Sequence, residues 1–256
     1  MLQPRVIPAL LLKNAGLVKT IKFKDPKYVG DPINAVRIFN DKEVDELVFL
    51  DINASIEGRG PNFELLARIA SEAFMPFGYG GGISTLEQVK KLFALGVEKI
   101  IINTVAIQSP EFVTAAMEIA GSSSVVVSID VRKNILGKHQ VWFKSGSKKA
   151  SVEVIEWVQE MESRGAGEII IQSIDQDGTQ KGYDLPLIEK ISGAVGIPVI
   201  GLGGASNLDD FKAAIEMGAS AAAAGSMFVF HGKHRAVLIK YPEYSSLEKL
   251  FSKASD

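Results

Sequence analysis

Two stretches of the chain repeat each other and decide the fold. Pro76 to Thr104 reads PFGYGGGISTLEQVKKLFALGVEKIIINT, and Pro198 to Ser226 reads PVIGLGGASNLDDFKAAIEMGASAAAAGS. At an offset of 122 residues, both have a starting proline, a glycine pair after a short apolar run and another glycine after a helical pattern. Each stretch predicts strand, glycine turn, helix and strand. The repeat therefore indicates a chain built from two similar halves.

The same alternation of apolar runs and amphipathic patterns extends along the whole chain. The runs cover residues 5–11, 46–51, 75–80, 98–103, 124–130, 168–172, 198–202 and 219–224. Uniformly apolar strands that alternate with helices predict a parallel sheet covered by helices. Eight such units in 256 residues fit a closed barrel better than an open doubly wound sheet, which is the alternative from periodicity alone. We predict a single α/β domain over residues 1–256, a (β/α)₈ TIM barrel with half-barrels at about 1–122 and 123–245.

Three local features refine this prediction. Helical patterns cover Thr85–Leu95 and Ser151–Arg164, and Ser151 is a suitable N-cap for the second. The polar segment Lys133–Lys149 follows the fifth strand as a hairpin-like insertion, with strand character at Gln140–Phe143. We expect no linker or second domain.

Composition limits the possible classes of function. A net charge of −2 argues against general binding of nucleic acid. The absence of cysteine excludes disulfides, thiolate zinc sites and thiol nucleophiles, and the three histidines have no companion ligands in the sequence. The apolar run near the start is too short for a signal sequence or a membrane span. We expect a soluble, cytoplasmic protein without metal, cofactor or membrane association.

Glycine turns at the ends of strands predict phosphate binding. The working face of this fold is the one where the strands end. Turns at Gly80–Gly82 and Gly203-Gly204 follow strands three and seven, and small polar residues end strands four and eight, at Asn103-Thr104 and Gly225-Ser226. Glycine lets backbone N–H groups approach an anion closely, and a following helix N-terminus favours negative charge. Two related anion sites suit a substrate with a phosphate at each end. The alternative is that these glycines only permit tight turns.

These turns, together with SIDVRK at 128–133, DQDGT at 175–179 and LGGASN at 202–207, resemble the HisF family, the cyclase subunits of imidazole glycerol phosphate synthase. The resemblance extends from Arg5 to about Phe230. It implies a lyase of histidine biosynthesis that works with a HisH-type glutaminase subunit. Ammonia from that partner would enter at the N-terminal face and pass through the barrel core. At the C-terminal face it would meet a phosphate-bearing small molecule, and two aspartates would act as general acid and base.

We carry the family's roles over residue by residue. The strand-five aspartate is Asp130, whereas Leu11 occupies the strand-one position, because the family's IPCLDVK aligns with IPALLLK at 7–13. Lys19 matches a loop lysine near the substrate. The implied phosphate contacts are Gly82, Asn103, Thr104, Asp177, Gly178, Gly203, Gly204, Gly225 and Ser226.

Four charged residues near the starts of strands match the family's ammonia gate. They are Arg5, Glu46, Lys99 and Glu168. Charges that point into the floor of a barrel are costly unless they pair with each other. The residues alone also fit a salt-bridge plug that closes the floor, whereas the resemblance favours a gate.

The chain departs from the family at Leu11, since leucine cannot donate or accept a proton. Together with LLLKN at 10–14, KYVGDPINAVRIFN at 27–40 and FHGKHRAVLI at 230–239, this departure resembles the AglZ-type acetamidino-modification branch of surface-polysaccharide (lipopolysaccharide) synthesis. That branch implies delivery of ammonia to an ATP-using N-acetyl-sugar amidotransferase. Three functions stay open: this ammonia-channelling role, a working histidine-pathway cyclase, and a non-catalytic scaffold that activates the glutaminase.

Overall fold

The computed structural model describes residues 4–232 and 234–252. The ends of the predicted domain, residues 1–3 and 253–256, lie outside this part, as does residue 233. The strands in this part are β1 (Arg5–Lys13), β2 (Gly16–Ile21), β3 (Lys24–Gly30), β4 (Leu47–Asp51), β5 (Phe77–Gly80), β6 (Lys99–Ile102), β7 (Val125–Lys133), β8 (His139–Phe143), β9 (Lys148–Lys149), β10 (Glu168–Ser173), β11 (Val199–Leu202), β12 (Ala221–Ala224), β13 (Phe230–His231) and β14 (Ala236–Val237).

Most of the helices lie between strands of the barrel. They are α1 (Pro32–Asp41), α2 (Ala54–Glu57), α3 (Phe63–Glu72), α4 (Leu86–Ala94), α5 (Thr104–Gln108), α6 (Glu111–Ala120), α7 (Val154–Ser163), α8 (Leu185–Ser192), α9 (Leu208–Glu216), α10 (Ser226–Val229) and α11 (Tyr244–Phe251). Among the described residues, none of these helices is both long and apolar enough to cross a membrane.

Eight parallel strands close into a ring. Their order is β1, β4, β5, β6, β7, β10, β11, β12 and back to β1, and every neighbouring pair is parallel. The ring closes where β12 pairs with β1, from Arg5 opposite Ala221 to Pro8 opposite Ala224. The predicted (β/α)₈ barrel is therefore confirmed. Each predicted half supplies four of the eight strands.

The apolar character of the strands follows from burial on both faces. Residues that point into the barrel form a small cluster of their own, made of Ile7, Ala9, Val48, Ile101, Val126, Ile170, Ile200, Leu202, Ala221 and Ala223. The residues between them point outward and join a larger cluster with the helices. Because side chains alternate along a strand, both sets must be apolar, and the runs are continuous rather than alternating.

Hairpins extend two of the barrel strands beyond the ring. β7 continues into β8 and β9, which fits the predicted insertion at Lys133–Lys149. β1 continues through a left-handed turn at Asn14 (φ 50°) and Ala15 (φ 63°) into β2, which pairs with β3. The sequence analysis did not predict this second hairpin. Both hairpins rise from the C-terminal ends of their strands, so they stand on the face where ligands bind in this fold.

The predicted helix starts give one success and one correction. Thr85 caps α4 with a capping box that includes Gln88. Ser151, in contrast, is not the N-cap of α7, which begins at Val154 after Glu153. The physical reason lies in the preceding residue: the Ala150 N–H donates to the Val141 carbonyl at 2.9 Å, so the chain is still attached to β8 there.

Candidate active site at the mouth of the barrel

A cavity of about 280 Å³ opens at the C-terminal ends of β1, β4, β5, β6 and β7. Its lining brings together five of the sequence-predicted residues, Leu11, Gly82, Asn103, Thr104 and Asp130. Apolar side chains such as Phe23 and Ile83 cover other parts of its wall. The cavity therefore combines polar groups at its rim with an apolar body, as small-molecule sites commonly do.

A second, much smaller cavity of about 20 Å³ lies beside the first. Its lining contains the lysine predicted near the substrate, Lys19, and the remaining residues predicted to contact phosphate. These are Asp177, Gly178, Gly203, Gly204, Gly225 and Ser226. Leu11 and Gln172 line both cavities. The structure thus places the two sets of predicted phosphate-contacting residues on one face of the barrel, each set in its own cavity.

The backbone of the glycine turns explains why glycine is needed there. Gly82 has a φ of +69°, and a Cβ at this position would stand 2.2 Å from the Arg59 carbonyl oxygen. Gly204 has a φ of +107°, and its Cβ would stand 2.0 Å from the Gly182 carbonyl oxygen. Close backbone packing alone therefore requires glycine at both positions. Anion binding there stays a prediction.

Short helices begin beside both turns. α5 starts after Asn103 and α10 after Gly225, and neither has a side-chain cap at its N-terminus. The first backbone N–H groups of a helix have no partner within the helix. The Thr104 hydroxyl accepts a hydrogen bond from the Lys144 N–H at 3.1 Å, so its own proton is free to donate into the larger cavity.

Asp130 is buried, with 7% of its surface exposed. Burial raises the pKa of its carboxyl to about 7; the negative charge of Asp177 adds to the shift and Arg132 opposes it. A carboxyl group that titrates near neutral pH can accept and donate a proton with similar ease. Asp130 is therefore suited to acid–base chemistry.

Lys19 is the predicted lysine, and its location differs from the expectation. The resemblance implied a loop residue, but Lys19 lies in β2 and is 5% exposed. Its ammonium donates to the Ala9 carbonyl at 2.6 Å. Burial lowers its pKa to about 8, and the nearby Asp177 charge opposes this shift. The hairpin after β1, which the sequence did not reveal, holds this lysine inside the site.

Asp177 fastens that hairpin to the loop after β10. Its carboxylate accepts hydrogen bonds from the Thr20 hydroxyl at 2.7 Å and the Phe23 N–H at 3.1 Å. Its carbonyl accepts from the Lys22 N–H at 2.9 Å. Burial raises the pKa of the Asp177 carboxyl, while the hydrogen bonds from Thr20 and Phe23 and the charge of Lys19 oppose this rise. Asp177 therefore joins the loop after β10 to the β2–β3 hairpin beside the small cavity.

Leu11 leaves the strand-one side of the larger cavity without a carboxyl group. It is 7% exposed and its neighbour in β4 is Leu50. Asp51 also lines the cavity, but its carboxylate forms two hydrogen bonds with Arg59, at 2.8 and 2.9 Å, and accepts from the Asn53 and Ala54 N–H groups. Since both oxygens of its carboxylate are engaged by Arg59 and by backbone N–H groups, Asp51 does not substitute for the carboxyl missing at Leu11.

The sequence analysis missed Gln172 and the Asp51–Arg59 pair. Gln172 is a polar residue in β10, two positions after the inward-facing Ile170. Because side chains alternate along a strand, Gln172 also points into the barrel, nearer the mouth. Asp51 and Arg59 lie eight residues apart across a loop, and periodicity gives no signal for such a contact.

The four charges predicted at the barrel floor form a closed ring. Arg5 bonds to both Glu46 and Glu168, the latter at 2.7 Å. Lys99 bonds to the same two carboxylates, at 3.1 and 3.0 Å. Each cation thus contacts each anion, and the ring lies at the opposite end of the barrel from the cavities. This arrangement satisfies the buried charges, and it fits both the plug and the gate.

No group of three or more histidine, aspartate or glutamate side chains within residues 4–232 and 234–252 is arranged to hold a metal ion. Asp130 and Lys19 are the two buried titratable side chains at the cavities whose pKa values move toward neutrality.

Comparison with known proteins identifies relatives over nearly the whole chain. The model of the family described as histidine biosynthesis protein matches residues 5–235. A Pseudomonas aeruginosa protein named "Putative imidazole glycerol phosphate synthase subunit hisF2" is 54% identical over 97% of this chain and 99% of its own length. A Leptospira borgpetersenii protein named "Putative imidazole glycerol phosphate synthase subunit HisF" is 49% identical over 98% of this chain and 100% of its own.

A third relative lacks the qualifier in its name. The "Imidazole glycerol phosphate synthase subunit HisF" of Thermococcus onnurineus is 42% identical over 91% of this chain and 92% of its own length.

Proposed function

The chain belongs to the histidine biosynthesis protein family, among its HisF-type subunits, and from this premise we propose that it is the ammonia-channelling subunit of a glutamine-dependent synthase. A HisH-type glutaminase would dock on the N-terminal face and release ammonia there. The observation that carries this proposal is the ring of Arg5, Glu46, Lys99 and Glu168 at the floor of the barrel.

The composition of the ring suits a gate. Lys99 is the member with a flexible four-carbon stem, and 18% of its side chain is exposed. If Lys99 turns outward into water, Arg5 still contacts both carboxylates, so each anion keeps one partner while the centre of the floor opens, at the cost of one uncompensated negative charge. A small uncharged molecule such as ammonia could then enter a core lined by small and aliphatic side chains such as Ala221 and Ala223.

The acceptor of the ammonia is the finer part of the proposal. Cyclisation by acid–base catalysis needs a proton donor and a proton acceptor on the two sides of the reacting centre. Asp130 supplies one and Leu11 supplies none. We therefore propose that the ammonia serves a separate ATP-using N-acetyl-sugar amidotransferase. ATP would phosphorylate the acetamido oxygen and leave as ADP. Ammonia would then attack the activated carbon, and phosphate would leave with the oxygen to give the acetamidino group.

Histidine-pathway cyclase is the second candidate function. The names of the relatives and the cavity position of Asp130, with its pKa of about 7, favour it. A phosphate-bearing small molecule at the rim turns is proposed in both cases. A scaffold that only activates the glutaminase would need neither cavity.

Isotope transfer tests the proposal. The full chain would be co-expressed with the HisH-type glutaminase of the same genome, and the complex supplied with amide-¹⁵N glutamine in excess unlabelled ammonium. We expect ¹⁵N in an acetamidino sugar when the amidotransferase, ATP and N-acetyl sugar are present. Label in imidazole glycerol phosphate would support the cyclase instead. A ¹⁵N fraction in the product equal to that of the ammonium in solution would contradict channelling. Failure of the two proteins to form a complex would contradict the docking.

Lys99→Met and Lys138→Met form a matched pair for this assay. Both lysines make salt bridges, but Lys138 pairs with Glu153 on the surface, away from the floor. We expect Lys99→Met to change the transfer of label and Lys138→Met to leave it unchanged. The same effect from both variants would count against a gate at the ring.

A further inference from the structure

Two basic hairpins flank the mouth of the barrel. Residues 131–149, which form the hairpin of β7, β8 and β9, contain one arginine and five lysines and no aspartate or glutamate. Residues 13–30, which form the hairpin of β2 and β3, contain five lysines and one aspartate. Because the whole chain has a net charge of −2, the rest of the molecule is acidic and the positive charge is concentrated on this face. Such a concentration attracts a negatively charged surface.

Much of this positive charge is not compensated within the chain. Lys133 pairs with Asp184, and Lys138 pairs with Glu153. Five other exposed lysines of the two hairpins form no salt bridge to any residue that the structure describes. They are Lys22, Lys24, Lys27, Lys148 and Lys149. These five side chains are therefore available to a partner.

An apolar tip projects from the larger hairpin. Ile135 and Leu136 occupy the turn between β7 and β8; Ile135 is completely exposed and Leu136 is 86% exposed. Turns between strands are usually polar. The Asn134 N–H donates to the Lys138 carbonyl, and the Asn134 carbonyl accepts from the Gly137 N–H. The Asn134 side-chain oxygen accepts from the N–H groups of Leu136 and Lys138, both at 2.9 Å. A turn with four internal hydrogen bonds thus holds two aliphatic side chains in water, away from the barrel.

The two hairpins meet over the larger cavity. A Cβ on Gly146, in the turn between β8 and β9, would stand 2.9 Å from the Phe23 ring, in the turn between β2 and β3. The Ser145 hydroxyl donates to the Ile52 carbonyl, which ties the larger hairpin to the loop after β4. Phe23 and Ser145 also line the cavity. A partner that rests on both hairpins therefore covers the opening.

We propose that this mouth surface, made of Ile135, Leu136 and the five unpaired lysines, docks the enzyme that consumes the ammonia. The two aliphatic side chains enter an apolar pocket of that enzyme, and the lysines face an acidic rim around the pocket. The proposal rests on the proposed function for the identity of the partner. It adds the face of the barrel and the chemistry of the contact, so that glutaminase and acceptor enzyme bind opposite ends of one barrel.

A protein is the occupant that fits the surface best. Ammonia that left the mouth into open water would be protonated and diluted, and an acceptor enzyme that covers the mouth prevents this loss. A lipid bilayer would also accept the apolar tip and the lysines, but it would close the exit without providing an acceptor. A nucleic acid would use the lysines and leave the tip of Ile135 and Leu136 in water.

Biolayer interferometry of the purified full chain against the amidotransferase of the same genome tests the docking without glutamine or ammonia. We expect a dissociation constant of about 10 µM or lower at about 50 mM NaCl, and weaker binding at about 500 mM NaCl, because salt screens the lysines. One variant combines Ile135→Ser with Leu136→Ser, and a second combines Lys148→Glu with Lys149→Glu. We expect each to weaken binding at least about tenfold.

Exposed side chains elsewhere provide matched controls. Phe74→Ser is the control for the tip, since Phe74 is 88% exposed and precedes β5 at the opposite end of the barrel. Lys42→Glu combined with Lys90→Glu is the control for the charges, since these exposed lysines lie after α1 and within α4. We expect both controls to bind the amidotransferase like the unchanged chain. All substituted side chains are exposed, so every variant should keep its melting temperature.

Three results would overturn the proposal. The first is no binding of the amidotransferase at about 100 µM. The second is a loss of affinity that is the same in hairpin variants and controls, or absent from both hairpin variants. The third is another occupant of the tip, seen as sedimentation with phosphatidylglycerol vesicles or as a dimer of the chain, either one abolished by the Ile135 and Leu136 substitutions. Binding requires no turnover, whereas the isotope-transfer test fails through label in imidazole glycerol phosphate, so the two failures are distinguishable.

Discussion

Leu11 and Asp130 line the same cavity from strands four places apart in the eight-stranded ring, on opposite sides of the barrel. Both are 7% exposed. One side of the cavity thus carries an apolar side chain and the other a carboxyl group with a pKa of about 7. A site with this asymmetry can exchange a proton at Asp130, but it lacks a second carboxyl group on the strand-one side to serve as the partner in two-sided acid–base catalysis.

The buried carboxyl of Asp130 should make stability depend on pH. Its pKa of about 7 in the folded chain lies above its ordinary value of 3.8. Between these values the folded state binds more protons than the unfolded state, so this group lowers stability as pH rises from about 4 to 7. We predict that Asp130→Asn becomes more stable relative to the unchanged protein across this range, by up to about 4 kcal/mol at pH 8.

Urea unfolding at pH 4, 5.5, 7 and 8 measures this difference. A difference in unfolding free energy that is the same at every pH would show that Asp130 is ionised in the folded protein already in mild acid. The burial that we assign to it would then be wrong.

The ring at the barrel floor should be sensitive to the loss of one charge. Lys99→Met leaves Glu46 and Glu168 with Arg5 as their shared partner, and the two carboxylates are largely buried, with side-chain exposures of 6% and 12%. We predict a loss of about 3–5 kcal/mol of unfolding free energy, because an uncompensated charge stays buried. Lys138→Met, which removes an exposed salt bridge to Glu153, should cost about 1 kcal/mol or less. Chemical denaturation of both variants decides the point, and similar losses would contradict the closed ring.

The glycine turn at Gly82 should be required by the fold itself. Gly82 and Gly58 share a left-handed backbone, with φ of +69° and +66°, but a Cβ on Gly58 meets nothing within 4 Å, whereas one on Gly82 meets the Arg59 carbonyl. We predict that Gly58→Ala costs about 1 kcal/mol of unfolding free energy. Gly82→Ala should cost at least about 3 kcal/mol, since steric overlap adds to the backbone strain.

Denaturation in phosphate-free buffer isolates this structural effect from ligand binding. If both glycine variants lose the same stability there, the close approach between Gly82 and the Arg59 carbonyl is not present, and the turn owes its glycine to something else.

The barrel could be predicted from the sequence because its signal is repeated and local. Each barrel strand is buried on both faces, so each reads as an apolar run. The repeat, at an offset of 122 residues, shows that the units belong to one closed architecture. The glycine turns and the four floor charges could be placed for the same reason, since their positions follow from where the strands begin and end.

The contacts that shape the mouth could not be predicted. β3 has five exposed residues in succession and no alternating pattern, so the hairpin that carries Lys19 into the site gave no strand signal. Leu11 and Gln172 meet at the mouth although their strands are far apart in the chain. A single sequence places each of them on the inner face, but it does not reveal that they line the same two cavities.

Turnover of the histidine pathway's ribulosyl bisphosphate with ammonium salt tests the central claim most directly. We predict less than about 0.1 s⁻¹ for the unchanged chain, since loss of one acid–base group costs about 10²–10⁴ in rate and ordinary enzymes turn over near 10 s⁻¹. Leu11→Asp should raise the rate at least about tenfold, because it restores the missing carboxyl. Turnover of about 1 s⁻¹ or more by the unchanged chain would contradict the claim and assign the protein to histidine synthesis.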